Sequence, residues 1–227
     1  QQQQHIHADE SQNNQDAQFS AALTAGGTLN DRGNAIITFG SGPTSPIYVA
    51  GEFAGTADFD GTMLTSPGGT DAFIARYNRS GFLEWIVQGI GFEDNSAKAL
   101  ATDTDGNLYV AGTFRSARLD LGGIQLDNAN PIQLTSDVFL AKIDPNGVVL
   151  WAVAGGGVED DEVGGLAVDK FGQIYLTGGF RDIAEFNGQN VFSMGGQDIF
   201  LVRYDKDGNM IWIDTSGGDN DDSGRDV

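Results

Sequence analysis

Three closely similar heptapeptides recur along this chain, and their spacing limits the fold more than any other feature. They are Asp71-Ala-Phe-Ile-Ala-Arg-Tyr77, Asp137-Val-Phe-Leu-Ala-Lys-Ile143 and Asp198-Ile-Phe-Leu-Val-Arg-Tyr204. Each runs into a turn (Asn78-Arg-Ser-Gly81, Asp144-Pro-Asn-Gly147, Asp205-Lys-Asp-Gly208) and then a segment carrying Trp85, Trp151 or Trp212. A second family precedes them: Ile47-Tyr-Val-Ala-Gly-Glu-Phe53, Leu108-Tyr-Val-Ala-Gly-Thr-Phe114 and Ile174-Tyr-Leu-Thr-Gly-Gly-Phe180. The tryptophans are 66 and 61 residues apart, and the difference sits in the loop Asn128-Ala-Asn-Pro-Ile132. The first repeat departs from the pattern, with Ala21 at the tryptophan position and a longer turn from Phe39 to Pro46.

Each period reads as four main strands, for example Ala97–Asp103, Leu108–Phe114, Asp137–Ile143 and Val148–Ala154. A short extra hairpin, such as Ala57-Asp-Phe-Asp-Gly-Thr-Met-Leu64, joins the second strand to the third. The inner strands are nearly continuous apolar runs, which requires both sheet faces to be covered. Stacking four-stranded blades does this, whereas a sandwich would leave one face wet and restore alternation. A solenoid coil is usually far shorter than ~60 residues. The predicted fold is therefore all-β, an arc of β-propeller blades with repeats over about 28–88, 92–154 and 158–215. Phe19–Gly26 aligns with the last strand of one further blade and Ser223–Val227 with the first strand of another. Three blades are short of the roughly four to eight that close a propeller. The expected partners are therefore further blades of a longer chain, or other subunits. Residues 1–18, rich in Gln and Asn, read as a separate disordered segment preceding a repeat domain over 19–227.

The motifs Asp137-Val-Phe-Leu-Ala-Lys, Gly147-Val-Val-Leu-Trp151, Gly155-Gly-Gly followed by Asp160-Asp161, and Asp103-Thr-Asp-Gly-Asn-Leu-Tyr-Val-Ala-Gly112 resemble the bacterial SBBP-type β-propeller repeats. The resemblance covers residues 19–227. It implies a propeller in secreted or surface-anchored bacterial proteins, and it carries over no catalytic residues.

Charge and composition narrow the function. A net charge of -20, from 12 basic and 32 acidic residues, repels phosphate backbones and argues against nucleic acid as a partner. It suits solubility outside the cell and affinity for divalent cations. The absence of cysteine excludes disulfides, zinc–thiolate sites and thiol chemistry. No apolar run approaches the ~20 residues of a membrane span. The Gln1-Gln2-Gln3-Gln4 start shows neither a signal peptide nor an initiator Met, as expected of a processed or recombinant boundary.

Two sets of acids are candidate calcium ligands. The turns Asp103-Thr-Asp105-Gly-Asn107 and Asp205-Lys-Asp207-Gly-Asn209 place oxygens at alternate positions, as a calcium loop does. They lack the flanking helices and twelfth-position Glu of an EF-hand, and a hairpin turn with Asp bonded to local amides explains them as well. Asp94, Asp160 and Asp221 each lie nine residues after a tryptophan, so they should occupy equivalent places on one rim. Such a ring must be solvated or hold cations. The recurring Asp71/Arg76, Asp137/Lys142 and Asp198/Arg203 sets should pair or cap strand ends, and the tryptophans should anchor blade packing. His5 and His7 form an isolated imidazole pair, and Asn78-Arg79-Ser80 matches a glycosylation sequon.

The chain has no nucleophile elbow, phosphate loop or zinc-binding His pair. The expected function is a non-enzymatic extracellular scaffold, structural or adhesive, assembling into a surface layer or filament. The alternatives are a propeller module that binds a glycan, peptide or protein, and then a carbohydrate-active enzyme relying on carboxylates.

Overall fold

The computed structural model describes residues 25–40, 42 and 45–227, and within them every regular element is a β-strand. The first blade consists of β2 (Asp31–Thr38), β3 (Ile47–Phe59), β4 (Thr62–Tyr77) and β5 (Leu83–Ile90). The second contains β6 (Asn95–Thr102), β7 (Leu108–Phe114), β10 (Asp137–Ile143) and β11 (Val149–Gly157), with the hairpin β8 (Arg118–Leu121) and β9 (Ile124–Asp127) inserted. The third is β12 (Glu162–Val168), β13 (Ile174–Phe186), β14 (Gln189–Tyr204) and β15 (Met210–Ser216). Each blade is an antiparallel meander, as in β6-β7-β10-β11. The predicted segments over 1–18 and 19–24 lie outside the described residues. The short strand β1 (Ala25–Gly27) occupies the predicted last-strand position of a preceding blade.

The apolar runs fill the spaces between blades. Tyr48, Ile74, Leu108, Phe114 and Phe139 share one buried cluster between the first and second blades. Leu140, Ile174, Phe180, Phe200 and Tyr204 share another between the second and third. The three heptapeptide phenylalanines lie opposite glycines of the neighbouring strand, in the registers Phe73↔Gly51, Phe139↔Gly112 and Phe200↔Gly178. A side chain at any of these glycines would collide with the ring, so small and large residues interlock across the pair.

The extra hairpins do more than join strands. The hairpin of the third blade pairs with the outer strand of the second, in the register Gly155↔Phe186 to Gly157↔Ala184. β8 pairs likewise with β5 (Gly89↔Leu121), and the hairpin of the first blade pairs with β1 (Ala25↔Phe59 to Gly27↔Ala57). Each hairpin therefore clips its blade to the preceding one through main-chain hydrogen bonds, and protects an edge that would otherwise stay open. Asp60-Gly61, Gly122-Gly123 and Asn187-Gly188 all take positive φ, as the tight two-residue turns of these clips require. The receiving strand passes so close that a methyl group on Gly157 would overlap the carbonyl of Ile183. Gly157→Ala should therefore destabilise the fold by about 1–3 kcal/mol. Gly218, the same position in the last repeat, has open space around it, so Gly218→Ala serves as the control. Equal melting temperatures for the two variants would show that the clip does not hold the blades.

Trp85 and Trp151 act between blades as expected. The Trp85 indole donates to the carbonyl of Pro145 in the second blade's turn at 3.1 Å, and Trp151 donates to that of Lys206 in the third blade at 3.2 Å. Gly147 and Gly208 lie directly beneath these rings, where a Cβ would not fit.

Pairing within the acid–base sets is not observed. Arg76 bridges to Glu84 and donates to Pro145, Lys142 approaches Asp103, and Arg203 donates to the Gln173 side chain. Residues five apart on a strand lie about 17 Å from each other on opposite faces, so acid and base serve different ends of the blade. The acids do cap: the buried Asp71 carboxylate accepts the Gly91 amide beyond the outer strand.

Candidate functional site

The two predicted acidic sets fall in different places. Asp103 and Asp205 fold back into their own turns. Asp103 Oδ1 accepts the amides of Asp105 and Asn107 at 3.0 and 2.9 Å, while Oδ2 accepts the Asn107 side chain and the Tyr109 hydroxyl. Asp205 Oδ1 accepts the amides of Asp207 and Asn209, both at 2.9 Å. Burial alone would raise the Asp103 carboxyl, but the Asn107 and Tyr109 hydrogen bonds and the Lys142 charge hold it below the usual range. Hydrogen bonds led by the Asn209 side chain do the same for Asp205. Asp105 and Asp207 are exposed, and among the described residues no three His, Cys, Asp or Glu side chains converge as metal ligands. Asn78 likewise uses its side-chain oxygen within its own turn, accepting the amides of Ser80 and Phe82. His5 and His7 lie outside the described residues.

Asp94, Asp160 and Asp221 do occupy equivalent positions, Asp94 and Asp160 just ahead of β6 and β12 and Asp221 at the corresponding point beyond β15. Each accepts the main-chain amide of the residue just before a heptapeptide Asp: Asp94 from Thr70 at 3.0 Å, Asp160 from Ser136 at 2.8 Å, Asp221 from Gln197 at 2.9 Å. They are latches between one blade's outer loop and the start of its third strand. Arg115 bridges to Asp160 at 2.8 Å, and Arg181 holds Asp221 through both guanidinium nitrogens at 2.9 and 3.0 Å. The Arg181 bonds hold the Asp221 carboxyl below its ordinary range. Asp94 and Asp160 line one polar cleft of about 450 Å³ together with Glu52, Lys98, Arg115 and Glu162. Lys98 stands at the bulge in β6, where the inner strand kinks, and reaches Glu52 at 3.3 Å. Two of the four cleft acids, Glu52 and Asp160, are thus paired with a base, which relieves part of the repulsion expected of a purely acidic ring.

The residues that sequence reasoning missed lie one position further on. Asp161, adjacent to Asp160, is completely buried and faces the buried heptapeptide acid Asp137. Asp161 Oδ2 accepts the Gly157 amide at 2.8 Å, and Asp137 Oδ2 accepts that of Ala129 at 2.6 Å. Asp137 Oδ1 is buried with no hydrogen-bond partner. Burial pushes the Asp137 carboxyl up to about 7, and burial together with the Asp137 charge pushes Asp161 up to about 8. The corresponding junction between the first two blades differs: the second position is Asn95, whose side-chain nitrogen lies 3.5 Å from Asp71 Oδ1. The available signal was the tenth residue after each tryptophan: Asn95, Asp161 and Asp222.

Sequence comparison places these features among known proteins. No family model matches the chain. It is 27% identical over 210 residues to the regulatory protein FlaEY of Caulobacter vibrioides, covering 84% of this chain and 21% of that one. It is 25% identical over 236 residues to the uncharacterized WD repeat-containing protein L264 of Acanthamoeba polyphaga mimivirus, covering 78% of this chain and 17% of that one. A WD repeat folds as a four-stranded propeller blade, which is the unit observed three times here. The chain is an arc of β-propeller blades. It spans about a fifth of the length of these two relatives.

Proposed function

We propose that this arc of blades is part of a non-enzymatic extracellular scaffold, structural or adhesive in role, whose blades continue into further blades or subunits. The observation that carries the reading is the fate of the repeated polar groups. Asp94, Asp160 and Asp221, the residues best placed to form a reactive rim, are each bonded to a neighbouring main-chain amide and serve as latches. Groups repeated at every blade and committed to its assembly suit a load-bearing or display framework better than a single reaction centre. The resemblance to SBBP-type repeats and the strong negative charge support an extracellular setting.

Continuation is supported by the exposed face of the third blade. Ala72 and Ile74 in the first blade, and Val138 and Leu140 in the second, are buried beneath the following blade. Their counterparts Ile199 and Leu201 are only half-buried and line an open groove with Thr215 and Val227. Light scattering of the 227-residue chain should therefore show self-association that Ile199→Lys with Leu201→Lys abolishes without unfolding the blades. A monomer with no binding of an exposed-hydrophobe dye would sink this reading.

The Lys98–Arg115 cleft favours a second reading, in which the arc is a recognition module for a peptide, glycan or protein. The Caulobacter relative is a regulatory protein, which is compatible with such a role. Binding on a peptide or glycan array that Lys98→Ala and Arg115→Ala both abolish would favour recognition over scaffolding.

A further inference from the structure

We infer that the junction between the second and third blades holds a divalent cation, with Asp137 and Asp161 as its side-chain ligands. This site is distinct from the acidic turns and from the latch carboxylates. Three observations carry it.

First, two carboxylates converge in a space closed to solvent. Asp137 is 2% exposed and Asp161 0%. A methyl group on Gly156 would collide with both Asp137 Oδ1 and Asp161 Oδ2, so the two oxygens approach the same point beside that glycine. A buried pair of carboxyls is tolerated only when neutralised, by bound protons or by a cation that displaces them.

Second, Asp137 Oδ1 is buried without a hydrogen bond of ordinary geometry, the neighbouring Gly157 amide being directed to Asp161 Oδ2, while Asp137 Oδ2 accepts the Ala129 amide. The amides hold the carboxylates in place and leave one oxygen directed at the shared point. Hard divalent cations are held by carboxylate oxygens fixed in this manner.

Third, the molecule contains its own comparison. Where the second acid is replaced by Asn95, the side-chain amide lies against Asp71 Oδ1, Gln88 donates to Asp71 Oδ2 at 2.6 Å, and both oxygens of the remaining carboxylate are satisfied by hydrogen-bond donors. At that junction the position of Gly156 is taken by Ile90. Where the tenth residue after the tryptophan position is Asp31, Asp161 or Asp222, the fifth is Gly26, Gly156 or Gly217. Glycine thus accompanies the second carboxylate, and a larger residue accompanies the amide that replaces it. The unpartnered heptapeptide oxygen recurs in Asp198 Oδ1, whereas Asp71 at the amide junction has both oxygens bonded and the unpartnered oxygen there is that of Asn95. Side-chain amide donors at one junction occupy the role that a cation would fill at the other.

The test uses the 227-residue chain and calcium as the probe. Equilibrium dialysis should show saturable calcium binding whose stoichiometry falls by one site in Asp161→Asn, while Asp160→Asn and Asp105→Asn retain it. Calcium at about 100 times its Kd should raise the melting temperature of the unmodified chain by about 5 °C or more. The Asp161→Asn chain should lose that part of the rise. Should Asp161→Asn fail to fold, the reverse change supplies the answer: Asn95→Asp with Ile90→Gly should add one site. Unchanged stoichiometry in both variants would assign any bound calcium to the exposed acids and overturn the proposal. So would the absence of calcium binding by the unmodified chain at millimolar concentration.

Discussion

Replacing Phe139 with alanine should destabilise the protein by about 3–5 kcal/mol, the range for truncating a fully buried phenylalanine. The ring has no exposed surface, and it sits among residues of both the first and second blades, including Tyr48, Ile74, Leu119 and Leu121. It also covers Gly112 on the paired strand, where no side chain can move in to fill the space left behind. Collapse around the cavity would require two blades to shift together, which places the expected loss toward the upper end. Urea denaturation followed by tryptophan fluorescence measures it. A loss below about 1 kcal/mol would mean that the blades do not pack through this ring. Phe139→Leu, which retains much of the volume, should recover more than half of the loss.

In chelator, the protein should become less stable as pH rises from about 5 to about 8.5. Asp137 and Asp161 have folded-state values of about 7 and about 8, against an ordinary value of 3.8. A carboxyl whose value rises on folding binds its proton more tightly in the folded state. Its contribution is therefore fully present below about pH 4 and is lost as pH climbs through the folded values. A tenfold gain in proton affinity on folding corresponds to about 1.4 kcal/mol. From about pH 5 to the folded values the two acids would together lose on the order of 7 kcal/mol if independent, and less than that because they are coupled. Asp71, also raised by burial, adds in the same direction. Asp103, Asp144, Asp169, Asp205 and Asp221 are held below 3.8, so their contributions are lost only in stronger acid and leave this window unaffected. Thermal melts across the range should slope downward for the unmodified chain and flatten in Asp161→Asn. A melting temperature independent of pH between about 5 and 8.5 would show that the junction holds no such pair of raised carboxyls.

The repeat was legible because it is written in local signals. Apolar runs of strand length, Gly-containing turns and a tryptophan at regular intervals suffice to count blades and place their strands. β7 and β10 have the predicted bounds, and the other two strands of that blade differ by a few residues at their ends. The hairpins were visible for the same reason, but their partners were not. Pairing with a preceding blade depends on the angle between blades, which no local pattern encodes. The only trace was the glycine six residues after each tryptophan, such as Gly157 in the run Gly155-Gly156-Gly157, whose need for close approach becomes plain once Ile183 lies against it.

The acids show the same division more sharply. Counting residues from each tryptophan placed Asp94, Asp160 and Asp221 at equivalent points, and the structure agrees. The loop ahead of β12 then decides the rest: Asp160 points to the rim and its arginine, while Asp161, its immediate neighbour, is turned into the junction, where it accepts the Gly157 amide. Sequence alone determined the all-β class, the number of blades and the residues that fill the spaces between them, because those follow from hydrophobic period and turn chemistry. Only the tertiary structure decided which blade each hairpin clips and which carboxylates meet in the interior, because both depend on bringing together segments that are distant in sequence.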